Sequence, residues 1–200
     1  NAENIKNILN KIIDIEEKLF IKPITGQWGE HTFIISKNRL GNENILTNIY
    51  NKIMKYNFIV QDLIIQHPKI NKIYRKSVNT IRINTYIGQE GNVYLLSGLM
   101  RFGAGNKYVD NVTAGGVFVS LNLENGRLGD VGYQFLKNGG KYMQGHPTTN
   151  TKFSGFKIPY FDKTKELVKK SAKSIPSLKF VGWDVAITKD GPVLMEGNHD

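Results

Sequence analysis

Two apolar runs near the C-terminus each carry an acidic residue where a buried strand would normally have none. "FVGWDVAI" holds Asp184 in its middle, and "DGPVLMEGNHD" follows Val193-Leu194-Met195 with Glu196, a glycine and Asn198. Lys189-Asp190-Gly191 between them suits a three-residue hairpin loop with glycine in the left-handed position. That register sets Thr188 against Pro192 and Asp184 directly opposite Glu196. Alternate residues of a strand share a face, so Asp184, Glu196 and Asn198 point one way, and Trp183, Val185, Ile187, Val193 and Met195 point the other, toward a core. Two carboxylates opposed across a ladder repel unless a cation lies between them or one takes a proton. Three oxygen donors without Cys or His suit a hard ion such as Mg2+, which takes one or two carboxylates and completes its shell with water and phosphate. The bland alternative is a surface hairpin with incidental charges.

Candidate anion holders lie upstream. In "SVNTIRINTYI" Ile81, Ile83 and Ile87 alternate with Thr80, Arg82, Asn84 and Tyr86, which puts Arg82 on the polar face of a strand. "VYLLSGLMRFG" ends on Arg101, and "VDNVTAGGVFV" supplies Asn111 before the pair Gly115-Gly116. A guanidinium forks onto phosphate oxygens, and a cluster of arginine, lysine and Mg2+ stabilises a transferring phosphoryl group. Taken alone, each arginine reads more often as a structural ion-pair partner. Lys22 sits inside the apolar run "LFIKP", where its head must reach an anion or solvent. Gly26 and Gly29 in the following "TGQWGE" could present backbone amides to phosphate or simply turn a surface hairpin; the stretch is not a Walker loop.

These residues need elements to hold them. Residues 3 to 18 place Ile5, Ile8, Leu9, Ile12, Ile13 and Ile15 on one helical face. "LFIKPIT" and "HTFIIS" read as strands, about 43 to 55 as a helix, and "NFIVQDLII" as a strand closing a small α+β lobe (1–65). From about residue 76 the period becomes two, with turns at "GQEGN", "LENGR" and "KDG". The larger lobe (66–200) is expected to be mainly antiparallel sheet, interrupted by one helix in "YFDKTKELVKKSAKS" with Asp162 as candidate N-cap. With no linker or repeat between them, the lobes are expected to pack around a cleft.

Composition narrows the function. The 200 residues include no cysteine, excluding disulfides, thiolate metal sites and a cysteine nucleophile. The formal charge is +10, from 27 Lys+Arg against 17 Asp+Glu, which favours an anionic partner. The basic residues lack the aromatic interleaving or recognition helix of a nucleic-acid binder, so no nucleic acid is expected, although a basic module for nucleic acid or anionic glycan remains the non-enzymatic rival. No run approaches about 18 apolar residues and no presequence is visible, so the reading is a cytoplasmic protein without a membrane span. The start at Asn1 reads as part of a longer chain. His31, His67, His146 and His199 show no metal spacing; His67-Pro68 and His146-Pro147 look like turns. "GHPTTNTKFSGFKIPYF" reads as a long polar loop, over an acceptor site or a plain surface excursion.

In order and spacing, "FIKPITGQWG", "FIVQDLI", "SVNTIRI", "LMRFG", "DNVTAGG", "VGWDVAI" and "GPVLMEGN" resemble the ATP-grasp superfamily, in particular its sugar-transfer-associated branch, with the ribosomal-protein glutamate ligases a more distant likeness. The resemblance implies an α+β ATP-grasp fold with ATP held between two lobes. It implies that Lys22 contacts phosphate and adenine, that Gly26 and Gly29 cover the phosphates, and that Gln61, Asp62 and Leu63 form the hinge reading adenine or ribose. Arg82, Arg101 and Asn111 would contact phosphate and acyl phosphate, and Asp184, Glu196 and Asn198 would hold two Mg2+ ions. Thr80 stands where the glutamate ligases often carry an acid, and such enzymes have a preceding domain outside this sequence. The expected activity is an ATP- and Mg2+-dependent ligase that activates a carboxylate for an amine or hydroxyl nucleophile, possible in cell-surface polysaccharide synthesis; a sugar or polyol kinase is the enzymatic alternative.

Overall fold

The computed structural model describes residues 7, 18–25, 31–36, 42–55, 57–105 and 115–199. The chain divides into two compact units, Asn1–Leu63 and Ile64–Asp200. The helix expected over residues 3 to 18 falls almost wholly outside the described residues, as do Gly26, Gly29 and Asn111.

In the first unit, β1 (Lys18–Pro23) lies between β2 (Phe33–Ser36) and β3 (Phe58–Asp62), antiparallel to both. Helix α1 (Glu43–Lys55) matches the sequence-predicted span. Leu19 and Ile21 alternate along β1 and bury against Ile35 and Ile49, with Ile45, Ile53, Phe33 and Phe58 packed around them. The period of two in β1 and the helical spacing of Ile45, Ile49 and Ile53 thus meet in one small core.

The second unit is a seven-stranded antiparallel sheet in the order β10-β9-β4-β5-β6-β7-β8. The strands are β4 (Thr80–Ile87), β5 (Val93–Phe102), β6 (Val117–Leu121), β7 (Leu128–Tyr133), β8 (Tyr142–Met143), β9 (Phe180–Ile187) and β10 (Pro192–Asn198). A short helix α2 (Pro68–Asn71) precedes them, and α3 (Phe161–Ser174) enters between β8 and β9. One sheet face is core: Ile81, Ile83, Met100, Phe102, Val117, Val119, Val181, Trp183 and Val185 bury with Val168 and Ala172 of α3. The interleaved residues of the same strands form the other face, where the charged side chains lie.

Two sequence expectations are corrected here. Asp162 is not the N-cap of α3; that position is Tyr160, held at φ 54° in the left-handed region, and Asp162 is in the first turn. There it pairs with Lys165 at 2.9 Å, whose hydrogen bond holds the Asp162 carboxyl below the usual range, and it still places negative charge at the helix's positive end. The polar run 145–161 is not a free excursion. Phe153 and His146 are fully buried, and Thr149 and Thr151 donate to the carbonyls of Ile73 and Lys72.

Candidate active site

The hairpin of β9 and β10 reaches the expected opposition by another route. Pro192 faces Ile187, not Thr188, so the loop has four residues, Thr188–Gly191. Thr188 and Gly191 close it through a 2.8 Å backbone hydrogen bond, and Gly191 takes φ 141°. That register alone would put Met195 against Asp184 and turn Glu196 toward Trp183. A bulge between Leu194 and Glu196 absorbs one residue, and Glu196 then pairs with Asp184, Gly197 with Trp183 and Asn198 with Gly182. The loop-side half of β10 is therefore reversed from the sequence reading. Leu194 packs on the core, while Val193, expected inside, is 39% exposed.

Asp184 is 1% exposed, so its charge must be compensated. β4 supplies the first partner because Arg82 is the residue opposite Asp184 across β4 and β9. Arg82 Nε donates to Oδ1, and Nη2 donates to Oδ2 at 2.7 Å. β5 supplies the second: Arg101 Nη2 donates to the same Oδ2 at 2.7 Å. Thr80 fixes Arg101 from the other side, its Oγ1 accepting from Nε at 2.9 Å and Nη2 at 2.6 Å. The position that is often acidic in the glutamate ligases therefore holds an arginine with a hydroxyl. Gly182 makes room for this arrangement. A Cβ there would stand 2.8 Å from Asn84 Oδ1 and 3.1 Å from Arg82 Cδ.

The cation expected between Asp184 and Glu196 is, in the protein alone, answered at Asp184 by two guanidinium groups. Arg82 and Arg101 meet Asp184 on this sheet face and Glu196 stands opposite it on β10, so cationic and anionic side chains are gathered in one cluster. Glu196 is exposed on the outer strand, and Asn198 Nδ2 lies 3.4 Å from Glu196 Oε1. Among the described residues no three His, Cys, Asp or Glu side chains converge, so a metal here would have two protein carboxylates and the Asn198 carbonyl. That donor set fits Mg2+. Asp184 Oδ2 already accepts two bonds while Oδ1 accepts one, so Oδ1 retains an acceptor direction.

The remaining candidate residues lie in the first unit. Lys22 pairs with Ile59 and Phe20 with Gln61, so Lys22 and Gln61 share one face of that sheet; Asp62, opposite Leu19, belongs to the other face at the strand end. Leu63 follows β3. Thr80, Asn84 and Gly182 were not singled out as site residues from the sequence. The period-two alternation of "SVNTIRINTYI" contained the signal for the first two, since it puts them on the face of Arg82.

A family model described as "Sugar-transfer associated ATP-grasp" matches residues 1–200. No curated protein matches this sequence. Among solved structures, an N5-carboxyaminoimidazole ribonucleotide synthetase in its ADP complex superposes with a TM-score of 0.54 at 9% identity, over 96% of this chain and 37% of that one. D-alanyl-alanine synthetase A from Vibrio cholerae gives 0.53 at 11% identity, over 98% and 46%. The biotin carboxylase domain of the Hydrogenobacter thermophilus 2-oxoglutarate carboxylase, in complex with MgADP, ADP and bicarbonate, gives 0.51 at 17%, over 100% and 34%. The chain thus spans less than half the length of these structures. With the family model matching along its whole length and these structures superposing on nearly all of it, the chain belongs to the sugar-transfer-associated ATP-grasp family and has the ATP-grasp fold.

Proposed function

We propose that this chain carries the nucleotide site of an ATP- and Mg2+-dependent ligase, with Asn1–Leu63 and Ile64–Asp200 as its small and large lobes. The observation that carries the proposal is the Arg82–Asp184–Arg101 cluster with Glu196 opposite Asp184. The reaction transfers the γ-phosphoryl group of ATP to a substrate carboxylate. The resulting acyl phosphate is attacked by an amine or hydroxyl, and phosphate leaves.

Each role follows from placement. Arg82 and Arg101 both donate to one buried carboxylate, and Thr80 holds Arg101 as well, so the guanidinium groups are fixed before ligand arrives. Fixed donors stabilise charge on the transferring phosphoryl without reorganising at the moment of reaction. Asp184, Glu196 and the Asn198 carbonyl would hold Mg2+, which when bound neutralises phosphate charge. Lys22 and Gln61 are proposed to contact phosphate and adenine from the small lobe, Gly26 and Gly29 to cover the phosphates, Asp62 and Leu63 to complete the hinge, and Asn111 to contact phosphate. Catalysis of this kind is positioning and electrostatics, with no covalent enzyme intermediate.

Isothermal titration with ATP and Mg2+ tests the reading. Saturable binding that depends on Mg2+ and weakens in Arg82→Ala is expected; an intact protein that binds no ATP overturns it. With turnover in hand, phosphorus NMR separates the reaction types, because a ligase releases free phosphate and a kinase leaves it on the acceptor.

A further inference from the structure

The sheet face that carries the charged cluster continues into two further rows. Registers across β5, β4, β9 and β10 align Leu99, Arg82, Asp184 and Glu196 in one row, and Ser97, Asn84, Gly182 and Asn198 in the next. The third row is Tyr94, Tyr86 and Phe180. Adjacent rows are two residues apart along β4 and β9, so the aromatic row stands roughly 13 Å from the charged one.

The aromatic row is open. Tyr94 is 52% exposed, Tyr86 42% and Phe180 45%, and Leu96, the extra residue of a bulge in β5, is 53% exposed beside them. Aromatic side chains in register on three neighbouring strands are a contiguous exposed patch of the kind that marks a binding surface. The middle row is polar and uncharged. Asn84 Nδ2 donates to Ser97 Oγ at 2.8 Å, and the Asn84 and Arg82 side chains lie over Gly182, where a Cβ would collide with them.

The face is therefore graded from charged through neutral hydrogen-bonding to aromatic, on one continuous surface. A ligand matching all three rows has an ionic reacting end and a neutral body that offers both C–H faces and hydroxyl groups. We propose that Tyr86, Tyr94 and Phe180, with Asn84 and Ser97, form an acceptor subsite for a saccharide, its ring C–H faces on the aromatic row and its hydroxyls on the Asn84–Ser97 pair. A purely apolar chain would offer the middle row no hydrogen-bonding partner, and an anionic polymer would find no cation in the middle and aromatic rows. The span favours an oligosaccharide over a single ring. The inference rests on the ligase reading for the orientation of the reacting end, and not for the subsite itself.

Saturation-transfer NMR on the full chain tests it, with maltotriose, xylotriose and triacetylchitotriose as probes. At least one probe is expected to receive saturation on its ring C–H protons, with at least tenfold weaker binding in Tyr86→Ser/Tyr94→Ser and in Phe180→Ser. All three residues are exposed, so both variants are expected to keep the wild-type melting temperature. Calorimetric titration with ATP and Mg2+ on the same variants is expected to be unchanged. Saturation of none of the three probes, equal transfer in the variants, or displacement of the sugar by AMP would each overturn the subsite. A protein that binds sugar on this row while binding no ATP would remove the ligase reading and leave the subsite standing.

Discussion

Glu196 stands opposite Asp184 because one residue of β10, Met195, is absorbed in a bulge. Without that extra residue the strand would present Met195 to Asp184 and turn Glu196 toward the Trp183 face. The bulge also divides β10 between two duties. Its loop half contributes Leu194 to the core, and its far half gives Glu196 and Asn198 to the ligand face.

Glu196→Gln separates fold from function. Asp184 is already paired by Arg82 and Arg101, so relief of cross-strand repulsion is worth only some tenths of a kcal/mol, the scale of such a pair. Melting of the metal-free protein should barely change, while Mg2+-dependent ATP turnover falls by roughly a hundredfold or more, a few kcal/mol of lost charge stabilisation. A variant that melts much earlier yet keeps its turnover would make Glu196 structural.

Asp184→Asn should be costly without any ligand. The amide offers one acceptor oxygen where the carboxylate offers two, and the two guanidinium groups lose the buried charge they share. Breaking a buried pair costs about 3–5 kcal/mol, and the lower end is expected because the Arg82 and Arg101 side chains are 26% and 20% exposed. Urea midpoints at constant slope measure it; a loss under ~0.5 kcal/mol would mean that the cluster does not stabilise the fold.

Gly197→Ala tests the bulge geometry. A Cβ at Gly197 would lie 2.8 Å from the Trp183 ring, and Trp183 is pinned by its indole N–H donating to Thr85 Oγ1 at 2.8 Å. Neither the ring nor the backbone can yield freely, so a loss of roughly 1–3 kcal/mol is expected from overpacking. Thermal unfolding checks it. An unchanged midpoint would show that β10 is free to shift.

His146 should make the second unit sensitive to acid. Its ring is fully buried against Tyr74, with centroids 4.9 Å apart. Nε2 donates to the Gly103 carbonyl at 2.7 Å, and Nδ1 accepts from the Thr148 N–H at 3.2 Å. Both nitrogens are satisfied only in the neutral form, and a proton on Nδ1 would face another donor. Burial pushes the pKa below the ordinary 6.5, opposed in part by the Gly103 bond. The unfolded chain then binds the proton more readily, so this contribution is complete above pH 6.5 and is lost as pH falls from 6.5 toward the lowered folded value. His146→Gln keeps a donor for Gly103 and cannot titrate in this range. Urea midpoints at neutral pH and two units lower should fall further for wild type than for the variant; parallel slopes would refute the assignment.

Much of this was legible in the chain itself. Alternation in "SVNTIRINTYI" and "FVGWDVAI" determined which residues face the core and which face a ligand, because a pleated strand has a period of two regardless of its neighbours. The helical spacing of Ile45, Ile49 and Ile53 likewise located α1. Residue types at Asp184, Glu196 and Asn198 determined that any metal there would be a hard one. Tertiary structure decided what those side chains touch. Arg82 meets Asp184 only because β9 inserts beside β4, about a hundred residues earlier in the chain, and Thr80 holds Arg101 only across β4 and β5. No local pattern encodes such a pairing, which is selected by the burial of two apolar faces together. The Met195 bulge was equally hidden. A single unpaired residue leaves the composition and nearly all the alternation unchanged, yet shifts the register by one, and only the packing of Leu194 and Trp183 on opposite sides of that bulge reveals which residue is left over.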